Sequence, residues 1–287
     1  ANLEIYEITE NGWIGFTDKY WMSTLVGEPK SKFKMASKYN EANDIYQADI
    51  RHPLQSIGSG QSTEVKTYLF AGAKEVNTIK AYQKEADFAD FIDTVDWGWF
   101  FFLTKPIFSL LDYCNKLVGN MGWAIILLTL VVKTVLLPLA YKSYVSMSKL
   151  KQLQPEMEKI KKRAGDDRMK LQQEMMALYK KEKVNPAAGC LPILLQIPIF
   201  FSLYKVLFVT IEVRHAPFIG WITDLSAPDP SSILNLFGLL PFSPPGPESF
   251  LVIFSIGVYP ILMGITMWLQ QKLNPAPTDK TQQMIFA

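Results

Sequence analysis

The chain has 287 residues with 29 Lys and Arg against 27 Asp and Glu, and a mean hydropathy of +0.09. That balance is an average of unlike parts: residues 1–96 read as soluble, and three later runs read as membrane spans. The sequence has no Gly-rich phosphate loop, nucleophile elbow or Cys/His metal spacing, and His52 and His215 stand apart, so an ATPase, a hydrolase and a bound cofactor are not expected.

Residues 1 to about 73 carry short β-branched and aromatic runs, LEIYEIT, GWIGFTDKYW, DIYQADI and TEVKTYLFAG, separated by Gly, Pro, Asn and Ser. This is a β-sandwich pattern, with IGSGQSTEV as a long turn and a helix from about Glu75 to Phe91; the domain is assigned to residues 1–92. Trp13 and Trp21 are candidates either for a carbohydrate or peptide surface or for the core.

Residues 93–120 follow. Phe101, Ile107, Leu110, Leu111 and Leu117 are interrupted by Lys105, Asp112 and Lys116, which a spanning helix would not carry. With Trp97 and Trp99 the pattern predicts an amphipathic helix lying in the membrane interface.

The first span is 121–141, MGWAIILLTLVVKTVLLPLAY, apolar except for Lys133 near its middle. At ~1.5 Å per residue it covers a ~30 Å hydrocarbon core, and an ammonium at its centre costs roughly 2.5 to 3.5 kcal/mol on insertion scales. Such a cost points to a water-filled cavity or groove, with Thr129 one turn earlier on the same face. The alternatives are a side chain that snorkels through a thinned bilayer or one that pairs with a carboxylate elsewhere.

From Lys142 to Asn185 the chain holds a net charge of +6, which makes this loop cytoplasmic by the positive-inside rule. Leu150, Leu153, Met157 and Ile160 recur at helical spacing; Gly165, Asp166 and Asp167 break and cap; then Leu171, Met175 and Leu178 recur likewise. Residues 142–187 are therefore a helical hairpin. Its basic residues, among them Lys161, Lys162 and Arg163, suit ribosomal RNA or anionic lipid headgroups, although orientation alone already explains them.

The second span, 188–212, has Pro192, Gln196 and Pro198 in its first turns and Lys205 near its far end, placed to snorkel towards Glu212. Gln196 needs polar company, either water in the cavity of Lys133 or a neighbouring helix. The loop 213–249, with Arg214 against Asp224, Asp229 and Glu248, faces the exterior. The third span, 250–270, contains Gly257, Pro260, Gly264 and Thr266, and 271–287 returns to the cytoplasm. In this topology Cys114 and Cys190 lie on opposite sides of the membrane and do not pair. With no Met or signal segment at residue 1 and an apolar turn, QQMIFA, at 282–287, the sequence reads as a piece of a longer membrane protein.

Three stretches, VGNMGWAIILLTLVVKTVLLPLAYKSYVSM, LQPEMEKIKKRAGDDRMKLQQEMMALYKKEKVNPAAGCLPILLQIPIFFSLYKVL and RHAPFIGWITDLSAPDP, resemble the YidC/Oxa family of membrane protein insertases. The resemblance covers roughly Trp97 to Asn274, and residues 1–92 resemble the C-terminal part of a periplasmic β-sandwich domain. It implies a membrane α-helical fold with five core helices around a hydrophilic groove, open to cytoplasm and lipid, in the bacterial inner membrane with residues 1–120 periplasmic. The groove's charge corresponds to Lys133, where many members have Arg. Gln196, Phe200 and Tyr204 correspond to positions that contact substrate helices, and the hairpin, with Asp166 and Asp167 at its turn, to the part that receives nascent chains from the ribosome. Implied partners are nascent membrane proteins, the ribosome, Sec translocon components and membrane lipids, with no nucleotide or cofactor. The resemblance implies that this sequence carries three of the five core helices, with the N-terminal anchor and the last two core helices expected outside it. Two other classes compete: a secondary transporter, which calls for internal repeats and paired broken helices, and a membrane sensor, which calls for a ligand pocket in residues 1–90.

Overall fold

The computed structural model describes residues 2–165, 167–185, 191–242, 245–246 and 248–273. The chain divides into two units, Ala1–Phe108 with Ser202–Arg214, and Ser109–Phe201 with His215–Ala287.

The first unit holds six strands: β1 (Asn2–Ile8), β2 (Trp13–Thr17), β3 (Trp21–Gly27), β4 (Phe33–Asn40), β5 (Ile45–Arg51) and β6 (Thr67–Ala73). They form two antiparallel three-stranded sheets, ordered β1-β4-β5 and β2-β3-β6. On β3 the side chains of Met22, Thr24 and Val26 alternate inward while Trp21 and Ser23 face out, the period of two that a half-buried strand requires. Phe33 of one sheet lies against Gly27 of the other, where an added Cβ would fall inside its ring.

Two differences from the sequence reading have local causes. The run GWIGFTDKYW is not one strand: the chain turns at Asp18, whose N–H donates to Trp21 O at 2.8 Å, so β2 ends before β3 begins. Strand β4, FKMASKYN, carries too many Lys and Ser for the β-pattern to be seen in sequence, yet it is the central strand between β1 and β5. The helix expected from Glu75 to Phe91 is shorter, α1 (Val76–Glu85). Asp87 and Asp90 adopt positive φ and break it, and a 3-10 turn at Phe91–Thr94 places Phe91 at the centre of an aromatic cluster. Trp13, Phe70 and Phe88 lie 6.4, 5.8 and 5.6 Å from the Phe91 ring, which is completely buried.

Next come α2 (Phe101–Val118), α3 (Met121–Ala164), α4 (Arg168–Lys181), α5 (Leu191–Val209) and α6 (Val258–Leu273). On α2 the buried stripe is Thr104, Phe108, Leu111 and Cys114, at spacings of three and four, while Phe101 and Leu117 are exposed. Trp97 is not an interfacial belt residue: it is buried, its indole N–H donates to Ile92 O at 2.9 Å and its ring meets Phe108 at 5.6 Å. Trp99 is fully exposed.

Helix α3 begins at Asn120, whose side chain accepts the Trp123 N–H at 3.2 Å, and runs unbroken for 44 residues, about 66 Å at 1.5 Å per residue. The apolar span and the first arm of the hairpin are therefore one helix, which carries Pro138 and Pro155 within it. Among the described residues α3 is the helix long and apolar enough to cross a membrane by itself. The third apolar run is divided. A 3-10 turn covers Phe250–Phe254, and α6 starts only at Val258, with Pro260 in its first turn, where the missing N–H costs no helical bond. At the break, Gly257 packs so closely that an added Cβ would come within 2.5 Å of Asp229 Oδ2.

Candidate functional site

Lys133 sits twelve residues into α3, about 18 Å along the axis from Met121. Its Nζ donates to Gln196 Oε1 on α5 at 3.4 Å, a contact inside the second unit. Among the described residues no carboxylate lies within ion-pair distance of Lys133, so the pairing alternative finds no partner there.

Around Lys133 is a groove of about 480 Å³ lined by α3 between Ile125 and Leu137. Its lining is mostly apolar, with Thr129, Lys133 and Thr134 as its polar members. Thr129 and Thr134 donate their hydroxyl protons to Ile125 O and Leu130 O, both at 2.8 Å, which leaves their oxygen lone pairs for incoming donors or water. Pro138 has no N–H, so the Thr134 carbonyl lacks its helical donor next to Lys133. A cation, two hydroxyl acceptors and an undersatisfied carbonyl on one helix face hold water better than hydrocarbon. The helix face beyond the groove is apolar and open, with Val135 73% exposed.

Phe200 and Tyr204 follow Gln196 at successive four-residue steps on α5, which puts the three on one helix face. Phe200 and Tyr204 are exposed. Phe200 meets Phe201 at 6.2 Å, and Tyr204 stacks on Phe208 at 5.9 Å.

The helices α3 and α4 fold back on each other about Gly165, which has φ +53°. Met157, Ala164 and Leu178 are buried on their facing sides, with Leu150, Leu153, Ile160, Leu171 and Met175 half-buried. Arg163 Nη1 reaches Glu174 Oε2 at 3.7 Å, Asp167 caps α4 by accepting the Lys170 N–H at 3.0 Å, and Ser146 Oγ donates to Asn185 O at 3.1 Å. Lys161 and Lys162 are exposed; Asp166 lies outside the described residues, as do Cys190 and residues 274–287.

Three polar pairs escaped the sequence reading. Lys205 Nζ binds Asp96 Oδ2 at 2.5 Å rather than Glu212, and the Asp96 carboxylate also accepts the Gly98 N–H at 3.0 Å. The bond from Lys205 is the main reason the Asp96 carboxyl lies below the usual carboxylate range. Its signal was a span-end lysine in search of an acid, but the acid is 109 residues away. In the same unit Lys74 is buried, which pushes its ammonium down, and its Nζ donates to Thr17 Oγ1 at 2.9 Å and to Asp18 O. His215 is not isolated: its Nδ1 lies 2.8 Å from Asp224 Oδ2. Asp224 is held well below the carboxylate range, first by the hydroxyl and backbone N–H of Ser226 and then by His215. The Ser226 hydroxyl bonds the carboxylate and not the imidazole, so this is a loop lock and not a nucleophile pair. Among the described residues no group of three or more His, Cys, Asp or Glu could hold a metal ion.

A β-rich domain followed by the helices α2 to α6, of which α3 is long and apolar enough to cross a membrane, defines a membrane protein with a separate β-domain. Residues 113–287 match the family described as 60Kd inner membrane protein and residues 1–110 the YidC periplasmic domain. The chain belongs to the 60Kd inner membrane protein family, and its β-domain is periplasmic. It is 65% identical to the membrane protein insertase YidC of Dinoroseobacter shibae, over 100% of this chain and 47% of that protein. It is 67% identical to that of Roseobacter denitrificans over 96% and 46%, and 62% identical to that of Paracoccus denitrificans over 99% and 45%. The chain thus spans about half the length of the curated relatives it matches. A crystal structure of an active YidC insertase with its first transmembrane domain resolved aligns with 91% of this chain and 74% of that one, at 19% identity and a TM-score of 0.43.

Proposed function

We propose that this chain is the groove-bearing part of a membrane protein insertase, with α3, α5 and α6 crossing the inner membrane and the α3–α4 hairpin in the cytoplasm. The observation that carries this reading is the meeting of Lys133 and Gln196 about 18 Å into the one described helix that can span a bilayer unaided. The names of its relatives support it.

The mechanism is a lowered barrier to translocation. Moving a polar or acidic segment of a nascent protein into hydrocarbon costs several kcal/mol when no partner replaces its water. A hydrated groove reaching mid-membrane shortens that passage, and the Lys133 ammonium attracts carboxylates more strongly there than in bulk water. Gln196 holds the ammonium in place without cancelling its charge, since its amide is neutral. Exposed Phe200 and Tyr204, one and two turns further along α5, offer an apolar track to the client helix. Burial of that helix in lipid then drives its release. The basic face of the hairpin, with Lys161, Lys162 and Arg163, receives the chain at the ribosome, and Sec components extend the same route to larger clients.

The test is insertion of a small client with an acidic extracellular tail by full-length protein carrying Lys133→Ala, Lys133→Arg or Lys133→Glu, read by protease protection. Loss with Ala and Glu and retention with Arg is the expected result. Normal insertion by all three at equal protein levels would remove the charge from the mechanism.

A further inference from the structure

Residues 231–242 and 248–258 form the two sides of a loop whose polarity is inverted. Its neck is pinned by three hydrogen bonds: Ile233 N–H to Ile256 O at 3.0 Å, Ser255 Oγ–H to Ser232 Oγ at 3.0 Å, and Val258 N–H to Ser231 Oγ at 3.3 Å. Polar groups occupy its inside. Ser231, Ser232 and Asn235 are buried, and Asn235 Oδ1 accepts the N–H groups of Ser232 and Gly238 at 3.1 and 3.0 Å. Asn235 Nδ2 donates to Pro230 O at 3.1 Å and to Phe242 O at 3.4 Å. One side chain thus satisfies four backbone groups.

The apolar side chains point the other way. Leu236 and Phe237 hold φ values of 49° and 58°, a left-handed conformation that residues with a Cβ rarely adopt, and both are exposed. Leu239 is 83% exposed, Phe250 76% and Ile253 65%. A loop in water buries its apolar side chains and leaves its backbone to the solvent; this one does the reverse, which is the arrangement hydrocarbon demands of irregular backbone.

We propose that this loop is a wedge seated in the periplasmic leaflet of the inner membrane, its partner the boundary between lipid headgroups and acyl chains. Three observations choose lipid as the occupant. The neck joins directly onto α6 at Val258, so the apolar surface of the loop continues that of a helix read here as membrane-embedded, a reading on which the proposal rests. The loop before it sits at the periplasmic start of α3, where Asn120 Nδ2 donates to Pro217 O at 3.2 Å and Phe218 covers Gly122. Between Ile233 and Ile256 the sequence has one charged residue, Glu248, too few for a surface that faces water. A wedge at this depth fixes the periplasmic end of α6 against the bilayer while the groove admits a client.

The experiment uses the full-length chain with Cys114 and Cys190 replaced, reconstituted in phosphatidylethanolamine and phosphatidylglycerol vesicles. Single cysteines at Leu239→Cys, Phe250→Cys, Ala227→Cys and Val135→Cys carry an environment-sensitive fluorophore, quenched by lipids with a nitroxide near the headgroup end or near the middle of the acyl chain. For a wedge ~5 to 10 Å deep, Leu239→Cys and Phe250→Cys are quenched about threefold more than Ala227→Cys by the shallow nitroxide, and Val135→Cys by the deep one. If the two loop labels behave like Ala227→Cys while Val135→Cys is quenched, the wedge is overturned and the embedded core stands. Loop labels shielded from both nitroxide lipid and aqueous iodide also overturn it, because protein then covers the loop. Absence of quenching at Val135→Cys removes the embedded core and the wedge together.

Discussion

Lys133 and Gln196, 63 residues apart in the chain, share a hydrogen bond of 3.4 Å that joins α3 to α5. A neutral amide beside an ammonium orients it and preserves its field; a carboxylate in the same place would cancel that field. Gln196→Glu is therefore expected to be the more damaging change although it strengthens the contact. Lys133 is exposed, so an ion pair ~4 Å apart there gains from about 1 kcal/mol in bulk water towards about 4 kcal/mol at an effective dielectric of ~20, and the lower end of that range already draws Lys133 away from clients. Insertion of an acidic-tailed client should fall about tenfold with Gln196→Glu and less than about threefold with Gln196→Ala, if roughly 1.4 kcal/mol separates each decade. Protease protection in vesicles reads both, and equal effects would deny the groove its electrostatic role.

The Asp96–Lys205 pair makes stability depend on pH in a defined direction. Asp96 has its carboxyl lowered in the folded chain, chiefly by the bond from Lys205. A lowered carboxyl contributes stability that is present above its unfolded value and is lost as pH falls through the folded one. The Asp96 side chain is 72% exposed, so water screens the pair and its contribution is about 1 kcal/mol or less. Asp96→Asn should lower the melting temperature of the detergent-solubilised chain near neutral pH, and the deficit should vanish in acid below the depressed carboxyl value. A deficit that persists unchanged in acid would mean that packing, not charge, is what the substitution disturbs.

What was legible in the sequence had a period or a cost attached. Lys133 was found because a charge in a 21-residue apolar run is expensive, and the hairpin because Leu150, Leu153, Met157 and Ile160 keep helical spacing. Strand β4 was invisible because its pairing with β1 and β5, not its own composition, makes it a strand. Asp96 was missed for a related reason: its partner lies on a helix far along the chain, and sequence distance favoured Glu212. The return side of the inverted loop, from Phe250, is hidden in a run that reads as span, since apolar content alone does not tell a helix from a 3-10 turn with an organised polar neck.

Gly122 tests how α3 is seated at its periplasmic end. An added Cβ would fall inside the Phe218 ring, and Trp123 meets the same ring edge-on at 5.6 Å. The ring cannot move far, because Asn120 Nδ2 holds the preceding carbonyl, Pro217 O, at 3.2 Å. Gly122→Ala gains helix propensity, worth up to about 1 kcal/mol, but overpacking costs about 1–3 kcal/mol, so the net effect is destabilising. A lower melting temperature for Gly122→Ala, relieved by Phe218→Ala in the double variant, is the expected outcome; additive losses would show that the two residues are not in contact.

The hairpin offers a choice between a cap and a salt bridge. Arg163 and Glu174 approach only to 3.7 Å, and the Arg163 side chain is 68% exposed, so the pair contributes ~0–1 kcal/mol and is screened by salt. Asp167 accepts the Lys170 N–H at 3.0 Å and sits at the N-terminus of α4, where a carboxylate also meets the positive end of the helix dipole. Removing such a cap costs about 1 kcal/mol, and the loss is local, because α4 has 14 residues and little else holds its first turn. Asp167→Ala should therefore speed amide exchange over Arg168–Leu171 about fivefold, on the basis of ~1 kcal/mol, whereas Arg163→Ala should change it little and Asp167→Asn should keep most of the protection. If Arg163→Ala opens the turn as much as Asp167→Ala does, the ion pair and not the cap holds the hairpin closed.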